Sequence, residues 1–247
     1  MPDVERHANL LATAKRRTDN EGFLLKQIIF PNYYSQWQKM PGHPLKWQVD
    51  LRQTAYEARR MVADMVKKNS ESILDVGCGI GLDYDYYRNS EVRYYGVDIT
   101  PKFVDAARQR GVPAEVGDVL NLRFKDGEFD TVYCKDLLIH LTPGDWRVAL
   151  KEMVRVACIQ VVTLEDNWSN RTVYSLKEKH ASYDEENHDF EMLMFFHNEY
   201  GNADFREYAH VLGLQVQIFH PELSAPILNG DQFIRTGQIT VYTKDRS

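Results

Sequence analysis

Apolar and polar positions change their spacing along the chain near residue 70. From residue 73 onward, short β-branched and apolar runs alternate with longer amphipathic runs, which is typical of βαβ units around a parallel sheet. We therefore predict a doubly wound α/β fold with right-handed crossovers. The predicted strands are 73–77, 93–98, 113–116, 129–134 and 158–163, and the predicted helices are 81–88, 101–110 and 144–155.

Two further apolar alternations, at 214–219 and 233–242, predict a closing antiparallel strand pair. The full expectation is a Rossmann-like, mostly parallel seven-stranded sheet with this C-terminal antiparallel pair. Residues 164–203 are far longer than a usual connection between a strand and a helix, so we predict an insertion after strand 5, near the active site.

The chain is predicted to divide into a helical arm or lid at 1–70 and a main domain at 71–247. Within the arm, 51–68 has apolar residues at positions 51, 55, 58, 62 and 65, which predicts a helix that packs on the sheet. Aromatic residues and prolines between 23 and 47 interrupt regular structure and favour a lid.

Composition limits the classes of partner. Hydrophobic residues make up 43% of the 247 positions, enough for one α/β domain with a modest appendage. The 36 acidic residues against 30 basic ones argue against nucleic acid and favour a small or weakly charged substrate. Residues 1–70 nevertheless carry 12 Lys and Arg against 7 Asp and Glu, which fits either an anionic substrate or a solvated helix face.

No apolar run reaches the roughly 18 residues needed to cross a bilayer, and the polar N-terminus does not resemble a signal peptide. We expect a soluble, cytoplasmic protein without membrane contact, as a monomer or homodimer. Cys78, Cys134 and Cys158 lie in apolar stretches without metal-binding spacing, so we expect them to be reduced and buried.

The strongest ligand signal follows the first predicted strand, at Gly77, Gly79 and Gly81. Glycines let the backbone turn tightly and approach a ligand, and a helix starting near Gly81 would direct free N–H groups at it. The dinucleotide fingerprint needs glycine at position 82, where this chain has Leu82. Asp98, 21 residues after Gly77, ends the second strand and could accept ribose hydroxyls.

The segments ILDVGCGIG, YYGVDIT, VGDV and FDTVYCKDLLIHL resemble the successive motifs of class I S-adenosylmethionine-dependent methyltransferases, over roughly residues 70–165. The resemblance implies S-adenosyl-L-methionine as cofactor and S-adenosyl-L-homocysteine as product. It implies that Asp75 supports the glycine loop and the amino acid end, that Asp98 binds ribose, that Asp118 and Val119 hold adenine, and that backbone after Tyr133 lines the methionine moiety. The predicted cofactor residues are Asp75, Gly77, Cys78, Gly79, Gly81, Asp98, Ile99, Asp118, Val119 and Lys135.

Methyl transfer from a sulfonium is an in-line displacement, in which the protein mainly aligns donor and acceptor. A base would help with a hydroxyl or protonated amine, and His140, just past the fourth strand, is the first candidate as base or acceptor-positioning residue. Asp136 beside it is the second candidate, and packing or helix-start roles are open for both.

Acceptor-binding candidates come from the insertion and the arm. On a helix, His180, Asp184 and His188 would share one face and form an acid/base cluster or a solvated polar surface. Nothing completes a coordination set, so no metal is predicted. The candidate acceptor residues are Tyr34, Trp37, His180, Tyr183, His188 and His197.

The sequence therefore predicts a methyltransferase that acts on an N or O atom of a small molecule. A protein or RNA methyltransferase, and a regulatory module that binds the cofactor without transfer, are the alternatives.

Overall fold

The computed structural model describes residues 56–142, 144–165, 168–169, 176–184, 189–196, 198–220, 222–224, 234–236 and 238–244. The helices are α1 Tyr56–Asn69, α2 Pro101–Gln109, α3 Asp145–Val156 and α4 Asn202–Val211, with 3-10 turns at Leu82–Tyr86 and Leu138–His140. The strands are β1 Ser72–Val76, β2 Arg93–Asp98, β3 Ala114–Val116, β4 Phe129–Lys135, β5 Ala157–Glu165, β6 Trp168–Ser169, β7 Leu176–Asp184, β8 Asp189–Phe196, β9 Tyr200–Gly201, β10 Leu214–Phe219, β11 Glu222–Ser224, β12 Ile234–Thr236 and β13 Gln238–Lys244.

Seven strands form the main sheet, in the order β10-β13-β5-β4-β1-β2-β3. Strands β1 to β5 run parallel, while β13 is antiparallel to both β5 and β10. The predicted doubly wound sheet with a C-terminal antiparallel pair is confirmed. The strand order reverses between β1 and β4, and a crevice at such a switch point is where open α/β sheets bind ligands.

Strand β1 lies at the centre of the sheet, and all five of its residues are buried. Successive side chains of a strand point to opposite faces, so Ile73 belongs to the core on one side of the sheet and Leu74 to the core on the other. Helix α1 covers the first side and α3 the second. Burial on both faces explains why β1 is a continuous apolar run rather than an alternating one.

Helix α1 confirms the helix predicted from spacing in 51–68, for the residues that the structure describes. Ala58, Val62 and Val66 recur at four-residue intervals and are fully buried against the sheet. Met65, a predicted stripe position, is only half-buried because Val66 takes the position facing the strands. Positions 51 and 55 lie outside the described residues.

The second core layer is organised by Trp146 of α3, which is completely buried. Its ring lies 5.4 Å from the ring of Tyr200, 5.6 Å from that of Phe205 and 5.5 Å from that of Tyr208, measured between centroids. These aromatic contacts attach α4 and the segment before it to the main domain.

The predicted helix at 81–88 is wrong, because only Leu82–Tyr86 forms a 3-10 turn. Gly81 has φ +72°, and an added Cβ there would lie 2.6 Å from Cγ2 of Val112. The chain therefore leaves the glycine turn in a left-handed conformation, close against the loop before β3. The segment therefore stays a five-residue 3-10 turn and does not continue as an α-helix.

Three other predictions need correction. The final predicted strand at 233–242 is two strands, since β12 pairs with β11 and only β13 joins the main sheet. The predicted insertion is shorter at both ends, because β5 extends to Glu165 and α4 begins at Asn202; within it β7 and β8 form an antiparallel hairpin. Cys158 is exposed on β5, although Cys78 and Cys134 are half-buried and buried and all three are free thiols.

Among the helices that the structure describes, none has the length and apolar character required to span a bilayer.

Gly81→Ala should destabilise the fold by about 2 to 4 kcal/mol, from the left-handed φ and the overlap with Val112. Adding Val112→Ala removes only the overlap, so the double variant should lose less stability than the sum of the single variants, by about 1 kcal/mol or more. Urea unfolding of the four proteins measures this difference. Additive losses would show that the contact does not restrict position 81.

Candidate active site

The predicted cofactor residues come together at the carboxyl edge of the parallel strands. The glycine turn follows β1, Asp98 ends β2, Asp118 follows β3 and Lys135 ends β4. Because these strands are neighbours in the order β4-β1-β2-β3, their ends lie side by side at the switch point.

The N–H groups of the glycine turn form hydrogen bonds within the protein. The N–H groups of Gly77 and Cys78 both donate to the Val97 carbonyl, at 2.7 and 3.0 Å, and the Gly81 N–H donates to the Cys78 carbonyl at 2.9 Å. The expectation that a helix starting near Gly81 presents free N–H groups is therefore wrong for Gly81. What the glycines provide is backbone without a Cβ, at positive φ that other residues adopt at a cost.

The Asp98 carboxylate links the loops after β1 and β2. Its Oδ2 accepts the Gly79 N–H at 2.9 Å and its Oδ1 accepts the Thr100 N–H at 2.8 Å. Burial raises the pKa of Asp98, and these two hydrogen bonds oppose the rise. A carboxylate has about four lone-pair positions, so each oxygen retains capacity for another donor. Ile99 follows it, half-buried.

Asp118 turns the chain after β3. Its Oδ1 accepts the Leu120 N–H at 2.9 Å, and its backbone pairs with that of Asn121. Val119 is buried in the core layer of α3, so its backbone rather than its side chain is placed to face a ligand. The thiol of Cys78 is held protonated, because burial and the charge of Asp98 raise its pKa.

A buried ion pair that the sequence analysis did not identify lies beside the glycine turn. Arg59 of α1 places its Nε 3.1 Å from Oδ1 of Asp83, and the two side chains are only 10% and 8% exposed. Burial, the largest single effect, lowers the pKa of Arg59, but Asp83 and the other acidic groups nearby together outweigh it, so the pKa rises and the guanidinium stays charged. The available signal was spacing, since Arg59, Val62 and Val66 share the apolar stripe of the helix.

This pair is not fully satisfied. Within the described part of the chain, Nε of Arg59 and Oδ1 of Asp83 meet as an ion pair without hydrogen-bond geometry, and Nη1 of Arg59 and the hydroxyl of Tyr133 are buried without a hydrogen-bond partner. An unsatisfied buried polar group costs about 1 to 3 kcal/mol. Such groups are uncommon in folded proteins, and they leave hydrogen-bonding capacity in this region that a bound polar group or water would use.

Asp75 is the second carboxylate of this region and is 2% exposed. The hydroxyl of Tyr94 donates to it. Burial and the charge of Asp83 raise the pKa of Asp75 to about 8, against the opposing effects of the Tyr94 hydrogen bond and of Arg59. The cluster of Arg59, Asp83 and Asp75 thus contains one cation and two carboxyl groups, and Asp75 takes up a proton to limit the negative charge.

The candidate catalytic residues follow β4. Lys135 and Asp136 form an ion pair, and Asp136 is the one described non-glycine residue with positive φ, at 49°. Such a conformation costs about 1 to 3 kcal/mol and is concentrated at functional sites. Its N–H donates to the Leu164 carbonyl at 2.9 Å, which fixes the sharp turn after the strand. His140 ends the following 3-10 turn, half-buried at the same edge of the sheet.

The acceptor candidates are placed only in part. Tyr34, Trp37, His188 and His197 lie outside the described residues. His180 and Tyr183 lie on β7. The helical face proposed for His180, Asp184 and His188 is wrong, because 176–184 is a strand whose register shifts between His180 and Ser182.

One carboxyl group at this edge belongs to none of the motifs found in the sequence. Glu165 ends β5 and accepts the N–H groups of Leu138 and Ile139 at 3.1 and 3.4 Å. It is fully buried. It falls inside the predicted insertion at 164–203, and its partners lie more than 25 residues away, so local spacing in the sequence does not reveal its role.

Residues 73–158, which contain the glycine turn, Asp98 and the β4 motif, match the family profile of the methyltransferase domain. The chain therefore contains a methyltransferase domain. A structure of a "SAM-dependent methyltransferase, possible histamine N-methyltransferase" of Thermotoga maritima shares the fold of this methyltransferase domain, with a TM-score of 0.59 and 16% identity over 86% of this chain and 100% of that one.

Two curated relatives resemble the methyltransferase domain in sequence. The "Probable tRNA methyltransferase 9B" of Homo sapiens is 38% identical over 109 residues, which is 43% of this chain and 23% of the human protein. The "Probable tocopherol O-methyltransferase, chloroplastic" of Oryza sativa subsp. japonica is 32% identical over 128 residues, which is 47% of this chain and 34% of the rice protein. The alignments thus span about a third of these relatives or less.

Replacing Asp75 with Asn should remove a pH dependence of stability. The folded-state pKa of about 8 is above the usual value of 3.8, so the folded protein retains a proton that the unfolded chain releases. Wild type should therefore lose stability relative to Asp75→Asn as the pH rises from about 5 to 8, by up to about 1.4 kcal/mol per pH unit. Urea unfolding of both proteins at several pH values tests this, and parallel curves would contradict it.

Proposed function

We propose that the chain transfers a methyl group from S-adenosylmethionine to an N or O atom of a small-molecule acceptor. The observation that carries the proposal is the convergence, at one edge of the sheet, of the glycine turn, the Asp98 carboxylate and the unsatisfied buried groups around Arg59. The cofactor has a ribose diol and an amino acid end that carries both charges, and each of these finds a chemical counterpart at this edge.

The residues around Arg59 fit the amino acid end of the cofactor. Nε and Nη1 of Arg59 are donors suited to an α-carboxylate, whereas Asp83 and Asp75 are acceptors suited to an α-ammonium. The ammonium would also offset the second carboxyl charge, which favours ionised Asp75 in the complex. The turn at Gly77 and Gly79 has no side chain beyond Cα beside this group, and Asp98 at the end of β2 would accept hydroxyl donors.

S-adenosylmethionine, when bound, supplies an activated methyl group that needs no further acid or base to make it transferable. The residues of the chain align the cofactor with the acceptor and keep water away from the reacting atoms. Asp98 fixes the relative position of the loops after β1 and β2, and Glu165 fixes the turn after β4. His140, at the end of that turn, would take a proton from a hydroxyl or ammonium acceptor, and Asp136 beside it would be a second proton acceptor.

A small acceptor is supported by the charge of the chain, which is −6 overall. The basic excess of the first 70 residues is a weaker argument for an RNA partner than the sequence suggested. Arg59, one of those positive charges, is buried beside the glycine turn and is therefore not exposed to a phosphate backbone. A tRNA acceptor is the second candidate, favoured by the 38% identity to the "Probable tRNA methyltransferase 9B".

Cofactor binding can be tested without knowing the acceptor. Titration calorimetry with S-adenosylhomocysteine should detect binding to wild type, and Asp98→Ala should weaken it about 10- to 100-fold through loss of a charge-assisted contact. Asp130→Ala is the matched control, because the Asp130 carboxylate also accepts two backbone N–H groups, from Glu71 and Ser72, at the opposite edge of the sheet. Equal affinity in the Asp98→Ala and Asp130→Ala variants would contradict the ribose assignment.

The acceptor class is tested by label transfer. Wild type incubated with methyl-labelled S-adenosylmethionine should label a compound in a metabolite fraction that is free of RNA and protein, and Asp98→Ala should reduce the rate. Label confined to tRNA would support the second candidate, and label confined to protein would contradict both. Binding of S-adenosylhomocysteine without transfer to any fraction would indicate a regulatory module.

A further inference from the structure

The 3-10 turn after β4 is held in place by polar side chains from two distant segments. The turn consists of Leu138, Ile139 and His140, and Leu141 follows it. It carries the candidate base, so its position decides where the imidazole lies. The side chains that hold it are Glu165, Asn198 and Tyr200.

Glu165 binds the N–H side of the turn. Its Oε1 lies 3.1 Å from the Leu138 nitrogen and its Oε2 lies 3.4 Å from the Ile139 nitrogen. Burial and the charge of Asp136 raise the pKa of Glu165, while the two N–H donors and Lys135 act in the opposite direction. Burying a carboxyl group costs more than burying an apolar side chain of the same size, so its presence is poorly explained by packing alone.

Asn198 and Tyr200 bind the carbonyl side. The Asn198 Nδ2 donates to the Leu141 carbonyl at 2.8 Å, and the Asn198 N–H donates to the Ile139 carbonyl at 2.9 Å. The Tyr200 hydroxyl donates to the Leu138 carbonyl at 2.7 Å. Both residues are completely buried.

These three residues flank the β7–β8 hairpin. Glu165 is the last residue of β5, where the chain leaves the main sheet toward the hairpin. Asn198 follows the end of β8 by two residues, and Tyr200 precedes α4. Strand β8 itself passes close to the turn. The segments before β7 and after β8 therefore both hydrogen-bond to the same turn, and neither segment can shift without breaking hydrogen bonds to it.

We propose that Glu165 and Asn198 are positioning residues, which fix His140 against the methyl acceptor and link the turn that carries it to the two ends of the β7–β8 hairpin. The inference rests on the proposed function for the identity of the reaction. Neither residue touches the cofactor candidates Gly77 to Gly81 or Asp98 by any hydrogen bond given above. Loss of either side chain should accordingly change the acceptor side of the reaction and leave cofactor binding intact.

The test compares Asn198→Ala, Glu165→Leu and Glu165→Gln with wild type. Glu165→Gln is the conservative variant, because its amide oxygen can still accept the Leu138 N–H. Gln160→Leu is the matched control, since Gln160 is a buried polar residue of the same strand whose Nε2 donates to Oγ1 of Thr131 at 3.0 Å, remote from the turn. Tyr200→Phe removes a single hydroxyl and serves if Asn198→Ala does not fold.

Deuterium exchange of the amides of 138–141 and the ¹³Cε1 resonance of His140 report the turn, and calorimetry with S-adenosylhomocysteine reports the cofactor site. In Asn198→Ala and Glu165→Leu we expect exchange about tenfold faster or more, a displaced His140 resonance and an altered imidazole pKa, with affinity for S-adenosylhomocysteine within about twofold of wild type. Glu165→Gln should restore most of the protection, and Gln160→Leu should leave all three readouts unchanged.

Unchanged exchange and an unchanged His140 resonance in Asn198→Ala and Glu165→Leu would overturn the inference while leaving the proposed function in place. A parallel loss of affinity for S-adenosylhomocysteine would also overturn it, because the residues would then support the whole site. Failure of wild type to bind S-adenosylhomocysteine would instead overturn the proposed function. The methyl-transfer rate, measured with the fraction that wild type labels, should fall about tenfold or more in Asn198→Ala and recover in Glu165→Gln relative to Glu165→Leu.

Discussion

The carboxylate of Asp98 is the interaction on which the arrangement of the site depends. By accepting the N–H groups of both Gly79 and Thr100, it ties the loop after β1 to the start of α2. The first loop is rich in glycine, and the second begins with Thr100 and Pro101. The charge is buried, so each of these hydrogen bonds is stronger than it would be in water. The same carboxyl group thus serves the fold before any ligand arrives.

A second group of buried charges surrounds Arg59. One guanidinium and two carboxyl groups are buried there, and protonation of Asp75 brings their net charge near zero. A ligand that brings both a positive and a negative group can satisfy the open donors and acceptors without adding net charge. Such a ligand stabilises the site by replacing unsatisfied contacts, which is a more selective requirement than a general attraction of opposite charges.

The sequence predicted those parts of the structure that local patterns control. The parallel strands, the carboxyl-edge position of Asp98 and Asp118, and the helical stripe of α1 all follow from spacing or from glycine and aspartate at strand ends. The predicted helix after Gly81 failed because a tertiary contact with Val112 and the left-handed backbone set the direction of the chain there. Arg59 and Glu165 were missed for a related reason. Their partners are brought close only by the folded sheet, and no periodicity in the chain records such distant pairs.

Glu165, Asn198 and Tyr200 form their hydrogen bonds with backbone groups of the turn after β4. Backbone N–H and carbonyl groups are the same for nearly every residue type, so these hydrogen bonds constrain neither the side chains of the turn nor those of the hairpin between β5 and α4. New hairpin sequences could therefore be grafted between the same two segments without redesigning the sheet. A scaffold with this property tolerates exchange of one hairpin while the sheet and the glycine turn remain constant.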